Sequence, residues 1–103
     1  MSQREKTTNR ADHRTALAGA LHSVTTEEEM ERVLVDLCTP AELRALSERW
    51  HIAKLLDANT LSYRDISTRT GASTTTIGRV ARFLKEEPHQ GYRTLLDREK
   101  STK

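Results

Sequence analysis

Three consecutive threonines, Thr74–Thr76, follow Ser73 and lie among four arginines, Arg64, Arg69, Arg79 and Arg82. A threonine hydroxyl can exchange hydrogen bonds with several base edges, and its methyl can meet a thymine methyl. A guanidinium can take guanine through two parallel hydrogen bonds or pair with phosphate oxygens. Arg64 is the candidate for guanine, with Tyr63 beside it. Arg69, Arg79 and Arg82 are the candidates for phosphate. The chemistry these residue types offer is recognition of double-stranded DNA, with no bond made or broken.

Such a site needs two short helices held at a fixed angle. Ser62 to Lys85 reads as helix, tight turn, helix. Ser62 is a side-chain cap for the first, with Asp65 three residues on. Gly71 stands at the bend, where the absence of a Cβ permits positive φ. Ser73 caps the second helix and puts Thr74, Thr75 and Thr76 in its first turn, the part of a helix-turn-helix that meets the major groove. Ser67 is small enough for the helix crossing, and Ile66, Ile77 and Val80 are the expected clamp. The positive N-terminal ends of both helices suit phosphate as well. The same basic pair would also serve a protein-interaction module that docks an acidic partner, and salt-dependent affinity for DNA separates the two readings.

The rest of the chain is helical in pattern. Leu17, Ala20, Leu21 and Val24 predict a helix from about Asp12 to Ser23. Thr26 and Glu29 form a capping box for a second, with Met30, Val33, Leu34 and Leu37 as its apolar stripe. Thr39, Pro40 and Glu42 open a third of about 18 residues, running to Asp57. Its stripe is Leu43, Leu46, Trp50, Ala53 and Leu56, widened by Ile52 and Leu55, and Asn59 can end it in a left-handed conformation. Tyr92, Leu95 and Leu96 anchor a final turn or two. The expected organisation is a polar tail over residues 1–10, one helical domain over 11–98 with the helix pair at about 62–87, and a loose end from 99.

With 103 residues, 35% hydrophobic and 4% aromatic, the core available to one chain is lean, which favours sharing it with a second copy. Net charge is only +2, but its distribution is uneven. Thr26 to Glu48 carries seven acids against two bases, and Ser62 to Lys85 five bases against one acid. That asymmetry gives the molecule a directed electrostatic face. The single cysteine, Cys38, allows no intrachain disulfide and is read as a structural thiol, so a cytoplasmic location is expected. No apolar run nears the roughly 18 residues of a membrane span. His13, His22, His51 and His89 are scattered, and neither a phosphate-cradling glycine loop nor an apolar acid pair occurs. No enzyme, metal or cofactor is expected.

The blocks "LCTPAELRALSERWHIAKLL" and "LSYRDISTRTGASTTTIGRVARFL" resemble the Trp repressor superfamily. The "DLCT" entry, the "TGAS-T-TI-RV-R-L" hairpin and the late "GY" look most like its YerC/YecD-type branch. The resemblance covers about Thr25 to Arg98. It implies an all-α, intertwined homodimer whose two helix-turn-helix units face successive major grooves. By position, Arg64 matches the family's guanine-reading arginine. Thr74, Thr75 and Thr76 match the first turn of its reading helix. Arg49, Arg79 and Thr39 match residues lining the corepressor pocket of tryptophan-binding members. Val80 and Phe83 replace small residues there and add bulk to the indole slot, Phe83 as an aromatic plug. Free tryptophan is therefore not the expected corepressor. A different small-molecule effector stays compatible, since Arg49 and Arg79 can hold a carboxylate.

Overall fold

The computed structural model describes residues 10–101. Six helices, and no strand, occur among the described residues: α1 (Arg10–His22), α2 (Glu27–Leu37), α3 (Pro40–Ala58), α4 (Tyr63–Thr70), α5 (Thr74–Lys85) and α6 (Gly91–Ser101). The expected tail lies outside them, except for Arg10, which begins α1. By their contacts the described residues fall into two compact units, one up to Thr39 and one from Pro40 on.

In the first unit neither α1 nor α2 buries a residue fully. Leu21, Val24, Met30, Val33 and Leu34 reach half-burial, while Val35 is 63% and Leu37 53% exposed. The start of α2 follows the expected cap with one change. The Thr26 hydroxyl accepts from the Glu29 N–H at 3.1 Å, but the Glu29 carboxylate reaches back one residue further, to the Thr25 N–H at 3.0 Å and its hydroxyl at 3.2 Å. Those hydrogen bonds, the Thr25 N–H foremost, hold its carboxyl below the ordinary value.

The second unit carries the core. Ile52, Ala53 and Leu56 of α3 meet Ile66 of α4, Ala72 of the turn, Ile77, Val80, Ala81 and Leu84 of α5, and Leu96 of α6. Each fully buried isoleucine contributes about 1.5–3 kcal/mol. The predicted α3 stripe is only half realised. Leu56 and Ala53 are buried, but Trp50 and Leu43 are half-buried and Leu46 is 41% exposed. The buried part of α3 starts at Ile52, because α4, α5 and α6 pack on its C-terminal half. The helix ends as expected at Asn59, φ 57°, whose N–H donates to the carbonyls of Leu55 and Leu56.

The C-terminal helix is longer than the sequence pattern implies and continues through Ser101, past the expected domain end at Arg98. Its anchor is electrostatic as well as apolar. Asp57, at the end of α3, receives Arg93 Nη1 at 3.0 Å on Oδ1 and Lys100 Nζ at 2.9 Å on Oδ2. Arg93 also pairs with Asp97 at 3.0 Å. The hydrogen bonds from Arg93 and then Lys100 lower the Asp57 carboxyl from 3.8 to about 2. No local pattern foretells a contact 36 residues apart, so α6 reads as a mere turn until Asp57 is placed beside it.

Candidate nucleic-acid interface

The hairpin is built by hydrogen bonds that the sequence largely foretells. The Ser62 hydroxyl accepts from the Asp65 N–H at 3.0 Å and starts α4. Gly71 ends it at φ 82°, in the left-handed region, with its N–H donating to the Ser67 carbonyl at 2.8 Å. The Ser73 hydroxyl accepts from the Thr76 N–H at 3.1 Å and starts α5. Two further hydroxyls latch the three-residue turn. Ser67 Oγ donates to the Ala72 carbonyl at 2.7 Å. Thr70 Oγ1 donates to the Ile66 carbonyl at 2.8 Å and accepts from the Ala72 N–H at 3.1 Å. Beneath them Ile66, Ile77 and Val80 are buried together, as the clamp requires. The angle between α4 and α5 is thus set twice, by the packed isoleucines and by the turn itself.

What this scaffold presents is polar and cationic. Tyr63, Arg64, Arg69, Ser73, Thr74 and Thr75 are all exposed. Thr76 is half-buried, and its Oγ1 accepts from Ser73 Oγ at 3.1 Å, which leaves its own O–H to donate. Arg79 is exposed, one turn beyond Thr75. Arg82 is exposed, and its Nε donates to Glu87 Oε2 at 2.9 Å. The end of α5 makes that pair possible, because the N–H groups of Glu86 and Glu87 both donate to the Arg82 carbonyl and fold the chain back.

The candidate effector residues differ in burial. Val80 is part of the core and Arg49 is half-buried. Thr39 closes the first unit and is exposed. Phe83 is half-buried. Its ring lies under the Arg79 guanidinium at 4.3 Å and within 5.3 Å of Arg82. On the far side of the Pro88 turn, His89 stacks on it with ring centroids 6.2 Å apart and planes 14° from parallel. The spacing of four between Arg79 and Phe83 is a visible helical-neighbour signal. His89 and Glu87 have no such signal, since a turn brings them back to α5.

Helices α3 to α6 therefore define an all-helical protein with a compact basic helix-turn-helix, the architecture of a DNA-binding regulator. Comparison with known proteins names the family. Residues 12–100 match the Trp repressor protein family, and the chain belongs to it. That family comprises DNA-binding regulators, not enzymes. The chain is 45% identical over 76 residues to "Uncharacterized protein YerC" of Bacillus subtilis (strain 168), covering 73% of this chain and 70% of that one. It is also similar to a solved TrpR like protein from Eubacterium eligens ATCC 27750, at 35% identity, TM-score 0.73, and coverage of 91% of this chain and 93% of the other. A second solved structure, from Staphylococcus aureus, matches at 34% identity and TM-score 0.76, covering 93% and 92%.

Proposed function

We propose that this regulator is a sequence-specific transcriptional repressor that works as a homodimer and inserts α5, from Ser73 onward, into the major groove. The observation that carries the reading is the hairpin itself. A left-handed Gly71 and a latched turn hold exposed Thr74 and Thr75 at the start of α5, with Arg64 and Arg69 exposed on α4. Arg64 reads guanine, the first turn of α5 reads neighbouring base edges, and Arg69 and Arg79 hold phosphates. Dimerisation is supported by the apolar surface that one chain leaves uncovered: Leu17, Val35, Leu37 and Leu46 are exposed, and α1 and α2 bury nothing fully.

Electrophoretic shift assays on genomic fragments test the reading. Binding should fall steeply as salt rises, because each neutralised phosphate releases counterion. Absence of salt-sensitive binding would leave the hairpin as a protein-docking module. Free tryptophan is not the effector in this reading, since Val80 and Phe83 add bulk at the positions that are small in tryptophan-binding members, and Val80 lies in the core. A tryptophan site at 100-fold saturation would add about 2.7 kcal/mol of stability. Millimolar tryptophan should leave the thermal midpoint unmoved, and a large upward shift refutes this part.

A further inference from the structure

Phe83 is the one phenylalanine of the chain, and its place is unusual for a large apolar side chain. It sits at the border between the buried stripe of α5, Ile77, Val80, Ala81 and Leu84, and the face that carries Thr75 and Arg79. Its ring bears two cations, with Arg79 at 4.3 Å and Arg82 at 5.3 Å. Two like charges would ordinarily keep apart. Here the negative face of the ring attracts both, and Glu87 partly neutralises Arg82 at 2.9 Å. His89, stacked against the ring, fills space on the turn side. A long arginine side chain free in water samples many rotamers, and ordering it on a phosphate costs entropy at the moment of binding. A guanidinium already laid on a ring has lost much of that freedom beforehand.

We infer that Phe83 is a positioning residue for DNA recognition: its ring holds the Arg79 guanidinium in place beside the reading turn of α5, without any bound ligand. The inference rests on the DNA-binding reading above and goes beyond it by assigning a role to a side chain that meets no base or phosphate. Its consequence is that the chain's own aromatic ring supplies the surface that orders Arg79.

A double-mutant cycle on the full-length chain tests this, with fluorescence anisotropy on a duplex selected from genomic fragments. The proteins are wild type, Phe83→Leu, Phe83→Tyr, Arg79→Ala, and Arg79→Ala combined with Phe83→Leu. Leucine keeps apolar bulk but has no π face, and tyrosine restores the face. Phe83→Leu should weaken binding about two- to fivefold, the worth of one exposed cation–π contact. Phe83→Tyr should stay near wild type. In the Arg79→Ala background, Phe83→Leu should lose most of its effect, leaving only what the more distant Arg82 contact contributes. Helix content and thermal midpoint are followed in each variant, so that lost folding is not taken for lost positioning. Equal losses from Phe83→Leu in both backgrounds overturn the inference, as does tighter binding by Phe83→Leu. If the wild type shows no salt-dependent DNA binding, the DNA-binding reading itself falls, an outcome distinct from additive losses in a protein that does bind.

Discussion

Asp57 is the point at which α3 holds the C-terminal helix, and Asp57→Asn tests how much that matters. The carboxylate is 16% exposed and takes Arg93 on one oxygen and Lys100 on the other. Its shift from 3.8 to about 2 corresponds to about 2.5 kcal/mol at the usual conversion. Lys100 is 64% exposed, so water screens part of that, and about 1–1.5 kcal/mol is the expected net loss in Asp57→Asn at pH 7. For a domain of this size that lowers the thermal midpoint by roughly 4–12 °C. The sign with pH follows from a depressed carboxyl. The charged form is favoured by the fold, so its contribution is complete above the ordinary value and is lost as pH falls through about 2. The gap between wild type and variant should therefore be constant from pH 7 to about 5 and narrow towards pH 2 to 3. Urea unfolding followed by Trp50 fluorescence, at one fixed protein concentration, measures it. A gap under about 0.3 kcal/mol at pH 7, or one that does not narrow in acid, refutes the argument that this ion cluster secures α6.

Arg64→Ala should cost about 1–3 kcal/mol on the preferred DNA site and relax selectivity at one base position, as read by competition among single-base variants of the duplex. Gly71→Ala tests the turn. An added Cβ would meet no atom within 4 Å, so only the left-handed backbone at φ 82° opposes it. The expected loss of stability is about 1–2 kcal/mol by urea unfolding, and a neutral result would show that the turn relaxes. Glu87→Gln releases Arg82 from its ion pair and removes a negative charge beside the proposed phosphate face. DNA binding should tighten by up to about 1 kcal/mol, and weaker binding would show that Glu87 is needed to aim Arg82.

Much of the hairpin was legible because its determinants are local. Ser62, Gly71 and Ser73 act within a few residues of themselves, and the buried Ile66, Ile77 and Val80 follow helical period. Capping reads backbone groups three residues away, so a linear string contains both partners. Other features were less legible. Glu29 takes the Thr25 N–H, a shift of one residue that depends on how the chain enters α2. The α3 stripe is buried only from Ile52 on, because periodicity tells which face is apolar and not how far neighbouring helices extend along it. Phe83, expected to fill the indole slot, lies half-buried with the Arg79 and Arg82 guanidinium groups near its ring.

From the sequence alone came the all-helical class and the helix-turn-helix with its candidate residues, which rest on short-range rules of capping, bending and apolar spacing, and the family, which rests on matching motifs. Tertiary structure decided which elements are anchored. Asp57 at the end of α3 takes Arg93, 36 residues away, and Lys100, and α6 extends through Ser101. The physical reason is range. Hydrogen bonds of the backbone and its caps close within a turn of helix, whereas ion pairs and ring contacts depend on which distant side chains folding brings within a few ångströms.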